Sequence, residues 1–253
     1  MLGAIIGDLA GSIYEYEQIK NVKGIKVNNI IEDNAFFSDD SILTIAIIDA
    51  ILSNSSYEEK LKEWGNRYID FIPDYKPYFK TVFSPGFSKW LTGDFVGTSG
   101  GNGAMMRVSP VGYLFDNEED VIKNAYLATI PSHNDSISIE CAKIVALIIF
   151  YARKGYKKED IIKKLNLTIK EPKIETFNYT CKDTIDVCLY SLFNSNSFKE
   201  CIELVLSFGG DTDTNACIVA SMGEALFGID EDLKIKAIEK LPNDFKEVLK
   251  QVY

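Results

Sequence analysis

The sequence predicts a single all-α domain that spans residues 1–253. Apolar residues recur with helical spacing over much of the chain, most strongly in residues 39–53 and 136–153. Ser-x-x-Glu capping boxes that begin at Ser56 and Ser197 mark the starts of two further helices. Strand-like stretches are few and weak, and no linker, repeat or low-complexity tract interrupts the chain. A chain of this length is long enough to bury a full hydrophobic core.

Periodicity and capping signals place the expected elements in order along the chain. Helices are expected within 1–15, at 39–53 and 57–72, from about 104, at 136–153, 158–165 and 183–193, from 197, within 207–228, and at 231–241 and 244–252. The segment 57–72 carries its charges on one face, as an amphipathic surface helix does. Two weak strand-like stretches lie at 25–30 and 167–169, and residues 170–178 are the least structured segment.

The first helix contains three glycines with a spacing of four residues. Gly3, Gly7 and Gly11 lie on one face of a helix, where the missing side chains allow another backbone to approach closely. In a membrane this spacing would indicate helix dimerisation. The helix is too short to span a bilayer, however, and it carries Asp8. The pattern therefore predicts that another helix packs closely against this face.

Composition argues against several classes of function. The net charge of −10 disfavours general binding to DNA or RNA, because an acidic surface repels phosphate backbones. The longest apolar runs are too short to cross a bilayer, and the first residues lack the basic region of a signal peptide. The five cysteines contain no Cys-x-x-Cys pair and are expected to be reduced and mostly buried. We therefore expect a cytoplasmic protein without membrane contacts, and a monomer.

The segment SFGGDTDTNACIVASMGEALFG, residues 207–228, places acidic and hydroxyl side chains directly before an apolar helix. Two interpretations of Asp211, Asp213 and Thr214 are open. Such residues cap helix N-termini and complement the positive end of the helix dipole. The order Asp-x-Asp-Thr also offers the hard oxygen ligands that divalent cations prefer. Considered alone, the segment favours the capping interpretation.

A second acidic cluster, Ser38, Asp39 and Asp40, precedes another apolar helix. Capping needs less negative charge than two adjacent carboxylates provide, and like charges repel unless a cation lies between them. If the ends of the two helices meet, at least four carboxylates, together with Ser38 and Thr214, form a fair ligand shell for two ions such as Mg²⁺. Because the chain has one histidine and no Cys-x-x-Cys pair, a zinc site is not expected.

A glycine-rich segment, GTSGGNGAMMRVSPVG at residues 97–112, leads into a helix near Ala104. Its backbone N–H groups suit an anionic group such as a diphosphate, and an ordinary flexible loop is the alternative. The segment is neither a P-loop nor a dinucleotide-binding fingerprint, because it lacks the Gly-Lys-Ser/Thr ending and a preceding strand. His133, the single histidine, is more typical of a cap or packing residue than of a catalytic base.

Five motifs, in this order, resemble the ADP-ribosylglycohydrolase family, which includes the dinitrogenase-reductase-activating glycohydrolase. They are GAIIGDLAGSIYE, FFSDDSILTIAIIDAIL, GGNGAMMRVSPVG, SHNDSISIECAKIVA and SFGGDTDTNACIVASMGEALFG, and they cover nearly the whole chain. The resemblance implies an orthogonal all-α fold with two Mg²⁺ or Mn²⁺ ions in a cleft that holds ADP-ribose. It also implies hydrolysis of the glycosidic bond between ADP-ribose and an acceptor on a protein, a nucleic acid or a small molecule.

The resemblance also implies roles for individual residues. One ion would be held by Ser38, Asp39, Asp40 and Asp213, and the other by Asp211, Asp213 and Thr214 with Glu15 nearby. Glu15 and Asp211 would take the catalytic roles, with Glu15 acting as general base or binding the attacking water, and Glu17 is the competing carboxylate. The substrate-binding residues would be Gly101, Asn102, Gly103, Ala104, Met105, Met106 and His133.

The chain departs from the family pattern in three places. Ser38 replaces the usual threonine and keeps its hydroxyl, whereas Asp135 removes one imidazole of a common His-x-His pair. In CKDTIDVC, Lys182 and Asp183 stand where related bacterial members have Gln-Gly, and Asp186 replaces a proline. This third departure leaves the preference for the leaving group open.

Two other functions are compatible with parts of the sequence. A phosphohydrolase of the haloacid dehalogenase type is suggested by the similarity of residues 211–214 to its Asp-x-Asp-x-Thr pattern, which must follow a strand and precede an α/β domain. Here IELVLSF has the pattern of a helix, and too little chain follows Thr214. A catalytically silent ADP-ribose-binding or structural relative is the other rival. It would be indicated by lost metal ligands, and none is lost.

Overall fold

The computed structural model describes residues 1–15, 24–73, 82–94, 96–175 and 177–253. Its helices are α1 (Leu2–Ser12), α2 (Asp39–Ser53), α3 (Tyr57–Arg67), α4 (Pro85–Leu91), α5 (Gly103–Met106), α6 (Ser109–Leu114), α7 (Glu118–Thr129), α8 (Ser136–Arg153), α9 (Lys158–Lys164), α10 (Cys181–Phe193), α11 (Phe198–Ser207), α12 (Thr212–Phe227), α13 (Glu231–Glu239) and α14 (Asn243–Leu249). The described residues contain no strand, only isolated β-bridges. The fold is therefore all-α, as the sequence predicts.

The most strongly apolar segments form helices at the predicted bounds. Helices α2 and α8 begin and end at the residues that the periodicity indicates. Helix α3 ends earlier than predicted, at Arg67, and α10 begins two residues earlier, at Cys181. The stretches 25–30 and 167–169 contain no strand, so that weak prediction was wrong. A short apolar run becomes a strand only where another strand can pair with it, and this fold provides none among its described residues.

The two predicted capping boxes behave differently. Ser197 caps α11, because its hydroxyl oxygen accepts a hydrogen bond from the Glu200 backbone N–H at 3.1 Å. Ser56 precedes α3 at the expected place, but its side chain makes no capping hydrogen bond. The helix start is therefore correct in both cases, and the side-chain cap is correct only at Ser197.

Helix α1 packs along α12 in the most extensive helix–helix contact of the described fold. A Cβ atom added at Gly3, Gly7 or Gly11 would lie 2.1 to 2.3 Å from a backbone oxygen of α12, which is too close for any side chain. The predicted close packing against this glycine face is therefore confirmed. The Thr212 hydroxyl donates a hydrogen bond to the Gly11 carbonyl at 2.9 Å, and this fixes the start of α12 against the end of α1.

Helix α1 packs against both α2 and α12, and the starts of α2 and α12 also contact each other, through the hydrogen bond from the Thr214 hydroxyl to Asp40. Both acidic clusters of the sequence lie at these ends, so the fold brings them together. In the part of the chain that is described, no helix is long and apolar enough to cross a membrane. All five cysteines are buried and free, as expected.

Candidate active site

The two acidic clusters meet and form two overlapping groups of carboxylates. Oxygens of Asp8, Asp40 and Asp213 lie within 4.8 Å of one another, and so do oxygens of Glu15, Asp211 and Asp213. Asp213 belongs to both groups, so the groups adjoin. Three separate stretches of chain contribute these side chains: α1 with the residues after it, the start of α2, and the start of α12.

Asp8 is the member of these groups that the sequence patterns did not identify. It is fully buried in α1, and it accepts hydrogen bonds from the backbone N–H groups of Ser38 at 2.9 Å and Ser41 at 3.1 Å. The hydroxyl groups of the same two serines also donate to its carboxylate. Asp8 therefore fixes the start of α2 against α1. The available signal was a single carboxylate in an otherwise apolar helix.

Hydroxyl groups connect the starts of α2 and α12 through Asp40. Ser38 caps α2, since its oxygen accepts from the Asp40 backbone N–H at 3.2 Å. The Thr214 hydroxyl of α12 donates to Asp40 Oδ2, also at 3.2 Å. The other carboxylate oxygen, Asp40 Oδ1, is buried and has no hydrogen-bond partner among the described residues. Asp39 lies outside the two carboxylate groups but lines the same cleft.

Asp211 occupies the N-cap position of α12, yet its side chain makes no capping hydrogen bond. Its Oδ2 instead accepts from the side-chain amide of Asn102 at 2.7 Å, which ties it to the glycine-rich segment. Its backbone N–H donates to Asn178 Oδ1 at 2.9 Å. The Asp211 carboxylate therefore makes no hydrogen bond to the backbone N–H groups at the start of α12. The capping interpretation, which the segment alone favours, does not describe this side chain.

Asn178 organises the turn that precedes Asp211. Its amide nitrogen donates to Asn215 Oδ1 at 2.9 Å and to the Thr184 hydroxyl at 3.2 Å, and all three residues are buried. Gly210 has a φ of +79°, and a Cβ atom there would lie 2.0 Å from Asn178 Oδ1. Both facts require glycine at this position. The glycine pair of the sequence thus allows the backbone to turn beneath Asn178.

Burial raises the pKa of every aspartate in the cluster. The pKa rises from 3.8 to about 6 for Asp8 and to about 7 for Asp39 and Asp211, with desolvation as the largest cause in each. Desolvation also raises the pKa of Asp40 and Asp213 well above the usual range, and the next cause is the charge of Asp213 for Asp40 and of Asp211 for Asp213. The protein alone therefore does not stabilise these carboxylates as anions.

The donor set fits divalent cations. All members are carboxylate or hydroxyl oxygens, which are the ligands that Mg²⁺ and Mn²⁺ prefer. In the described part of the chain, no salt bridge neutralises Asp8, Asp40, Asp211 or Asp213. The unpartnered Asp40 Oδ1 and the raised pKa values are both relieved by a cation. The two groups of carboxylates could therefore hold metal ions.

A cleft of about 770 Å³ opens at these carboxylates. Glu15, Asp39, Asp211, Asp213 and Thr214 line one part of it, whereas Asp8, Asp40 and Ser38 are buried next to them. An apolar wall is formed by Val82, Phe83, Phe87, Trp90, Phe177 and Tyr179. A volume of this size suits a nucleotide-sized ligand.

The glycine-rich segment forms another wall of the cleft. Gly101, Asn102, Gly103 and Met106 line it, but the side chains of Ala104 and Met105 are buried in the core. The short helix α5 turns these two side chains inward, and contact of residues 101–106 with the ligand stays a prediction.

Part of the hydrogen-bonding capacity of this segment is used within the protein. The N–H of Gly101 donates to Ser99 Oγ at 3.1 Å, and the N–H of Asn102 donates to the Tyr179 carbonyl at 2.9 Å. In the described chain, the N–H groups of Gly100 and Gly103 donate to no protein acceptor. Those two groups remain available to an anionic ligand.

His133 lies beside the glycine-rich segment and lines the cleft. Its Nδ1 is 2.8 Å from Ser132 Oγ, which in turn is 2.7 Å from Arg107 Nη2. Burial, followed by the charge of Arg107, lowers the pKa of His133 well below its usual value. His133 is therefore a neutral imidazole at the edge of the cleft.

Of the three departures from the family pattern, Ser38 lies at the first carboxylate group, where its hydroxyl donates to Asp8, and the other two lie outside both groups. Asp135 caps α8 by accepting from the backbone N–H groups of the first helical turn. Lys182, Asp183 and Asp186 are exposed on α10 and do not line the cleft, whereas Thr180 before them does. Glu17, the carboxylate that competes with Glu15, lies outside the described residues.

The family model for ADP-ribosylglycohydrolase matches residues 1–252, which is nearly the entire chain. The chain belongs to the ADP-ribosylglycohydrolase family. The haloacid dehalogenase alternative is excluded by the fold as well, because helix α11 precedes Asp211 where that family requires a strand.

Relatives agree with this assignment at low sequence identity. The chain is 22% identical to the ADP-ribosylhydrolase ARH3 of Xenopus tropicalis, over 100% of this chain and 94% of the relative. It is 20% identical to the ADP-ribosylarginine hydrolase Tri1 of Pseudomonas putida, over 90% and 70% respectively. A solved structure described as an ADP-ribosylglycohydrolase-related protein complex matches with a TM-score of 0.71 and 17% identity, over 98% of this chain and 94% of that one. Family and relatives together indicate ADP-ribosyl hydrolase activity.

Proposed function

We propose that this member of the ADP-ribosylglycohydrolase family is a hydrolase dependent on Mg²⁺ or Mn²⁺ that cleaves the glycosidic bond between ADP-ribose and an acceptor. The single observation that carries the proposal is the meeting of two carboxylate groups, from three stretches of chain, in a cleft of nucleotide size. The acceptor is a group on a protein, a nucleic acid or a small molecule. We further propose one domain over residues 1–253 and a monomer in the cytoplasm, whose reducing conditions suit the five buried free cysteines.

Two ions are proposed at the two carboxylate groups. Ser38, Asp39, Asp40 and Asp213 are the proposed ligands of one ion, and Asp211, Asp213 and Thr214 those of the other; the described geometry supports adding Asp8 to the first group and Glu15 to the second. Ions held there would supply Lewis acidity that orients the ribose hydroxyls and lowers the pKa of water.

The remaining chemistry is assigned to side chains of the cleft. Bond cleavage at the anomeric carbon develops oxocarbenium character, so attack by water requires a group that removes its proton. Glu15 lines the cleft beside Asp211 and is the proposed general base. The free N–H groups of Gly100 and Gly103 would donate to the diphosphate. The apolar wall would cover the nucleobase.

A substrate panel tests the proposal. Protein modified on arginine, protein modified on serine, ADP-ribosylated nucleic acid and a small ADP-ribosyl conjugate share the same ADP-ribose half, so one assay of released ADP-ribose covers all four. We expect turnover of at least one substrate, loss of turnover after chelation, and recovery when Mg²⁺ or Mn²⁺ is added. Full turnover after exhaustive chelation would contradict metal dependence. No release from any substrate with either metal would contradict the hydrolase.

A further inference from the structure

The guanidinium of Arg107 fixes the direction of a hydrogen bond beside the cleft. Arg107 is fully buried, and burial lowers its pKa only to about 10, so it remains charged at neutral pH. Its Nη2 lies 3.1 Å from the Ala128 carbonyl and 2.7 Å from Ser132 Oγ. A guanidinium has donors and no acceptor. The Ser132 oxygen must therefore accept from Arg107.

This direction determines where the Ser132 proton goes. A hydroxyl has one proton, and His133 Nδ1, at 2.8 Å, is the one acceptor found for it among the described residues. If Nδ1 carried a proton, the Ser132 oxygen would accept from both neighbours and its own proton would be buried without a partner. Leaving a buried donor unsatisfied is unfavourable, and Ser132 is only 3% exposed. The Ser132 hydroxyl therefore donates to Nδ1.

The second ring nitrogen of His133 then carries the proton. A neutral imidazole whose Nδ1 accepts a hydrogen bond is protonated at Nε2. Nε2 points towards the glycine-rich segment, because Cβ atoms added at Gly103 and Gly101 would lie 3.2 and 3.7 Å from it. No described residue accepts a hydrogen bond from Nε2. The proton is thus directed to a wall of the cleft and has no partner in the protein.

We infer that Arg107 and Ser132 are positioning residues that hold His133 in the neutral Nε2–H tautomer, so that Nε2 donates a hydrogen bond to an anionic oxygen of the ligand. The opposite tautomer would present a lone pair at the same place and would repel that oxygen. The identity of the ligand, ADP-ribose, rests on the proposed function. The tautomer itself is a property of the free protein and does not depend on that function.

Nitrogen NMR of the histidine side chain tests the inference directly. The chain has one histidine, so protein labelled with ¹⁵N-histidine gives the signals of His133 alone. At neutral pH we expect an unprotonated Nδ1 and a protonated Nε2, distinguished by their chemical shifts and by their couplings to the ring protons. A protonated Nδ1, a cationic ring or an equal mixture of tautomers in the unaltered protein would overturn the inference.

Two matched variants test the part played by Ser132. Ser132→Ala removes the hydroxyl donor, and the Nδ1–H tautomer should become populated. Ser132→Thr keeps a hydroxyl and should restore the spectrum of the unaltered protein. At equal tautomer populations the affinity for ADP-ribose falls only about twofold, so the spectrum is the decisive readout. An unchanged spectrum in folded Ser132→Ala would overturn the role of Ser132.

Addition of ADP-ribose with Mg²⁺ separates this inference from the proposed function. Calorimetry shows when the protein is saturated with ADP-ribose. At saturation the NMR signals of Nε2 and of its proton should shift, while Nδ1 stays unprotonated. If ADP-ribose binds and the Nε2 signal does not move, the donor role is refuted. If ADP-ribose does not bind at all, the proposed function fails, and the spectrum of the free protein still decides the tautomer.

Discussion

Asp213→Asn should stabilise the metal-free protein and remove most of its response to metal. Asp213 is the carboxylate shared by the two groups, so its charge faces all the others. Asparagine has nearly the same shape and can still accept the hydrogen bond that Asp213 Oδ1 receives from the Thr214 backbone N–H at 2.9 Å. The substitution therefore removes charge with little change in packing.

The size of the expected stabilisation follows from the distance between the carboxylates. Two unit charges at the 4.8 Å limit repel by roughly 3 kcal/mol at an effective dielectric constant of about 20. The raised pKa values mean that part of this repulsion is avoided by protonation near neutral pH. We therefore expect a gain on the order of 1–3 kcal/mol at pH 8 without metal. For a chain of this length, each kcal/mol corresponds to a rise in Tm of about 2–4 °C.

Thermal melts in chelator and in Mg²⁺ or Mn²⁺ give the measurement. The unaltered protein should gain stability from metal, by about 2.7 kcal/mol for each bound ion at a concentration one hundred times Kd, and Asp213→Asn should gain much less. Asp33→Asn is the control, because Asp33 is fully exposed and its loss should alter neither melt. The reasoning is refuted if Asp213→Asn melts below the unaltered protein in chelator, or if it keeps the full metal-induced shift.

Three further outcomes are expected. In chelator, the stability of Asp211→Asn relative to the unaltered protein should increase steadily as pH rises from about 4 to about 7. The reason is that the pKa of Asp211 in the folded protein is raised from 3.8 to about 7, so its ionisation in this pH range destabilises the folded state. Urea midpoints at each pH measure the difference in stability, and a difference that does not change with pH would contradict the prediction. Glu15→Gln should lower kcat by about 10²–10⁴-fold and change the Kd of ADP-ribose much less, whereas an equal or larger effect of Glu17→Gln would show that the wrong carboxylate was chosen. Gly7→Ala should cost at least about 1–3 kcal/mol in chemical unfolding, because its Cβ would lie 2.1 Å from an α12 backbone oxygen, while Gly86→Ala meets nothing within 4 Å and should be close to neutral.

The sequence predicts the helices that have an apolar pattern and a capping residue within their own segment. Helices α2 and α8 are strongly apolar, and their starts are marked by Ser38 and Asp135, both of which cap them. Helices α4, α6 and α7 lack such an apolar pattern and were not predicted. Their formation depends on contacts with the rest of the chain, such as the packing of α7 on α8, which local propensity does not contain.

The site residues that could be predicted are those whose negative charge is greater than helix capping requires. Asp39 and Asp40 form more negative charge than a helix cap needs, and this excess suggested a cation if the two acidic ends meet. In the structure Asp40 does lie in a carboxylate group with Asp213. Asp8 was missed because one carboxylate in an apolar helix has no partner in its own segment, and its partners Ser38 and Ser41 are thirty residues away or more. Asn178 was missed for a similar reason, since an amide adds no charge that a pattern could register.

Asp211 illustrates why local sequence could not choose between a cap and a ligand. Both roles require a short oxygen-bearing side chain at the start of a helix, so the residue type and its place are the same in each case. The difference lies in whether the oxygen meets an N–H of its own helix or a group elsewhere in the chain. In this fold the carboxylate meets the Asn102 amide, 109 residues away, and lies in a group with Glu15 and Asp213. Asn102 is a predicted substrate-binding residue and Asp211 a predicted metal ligand, and their hydrogen bond joins the two parts of the cleft. A substitution at either residue should therefore alter both metal and ADP-ribose binding.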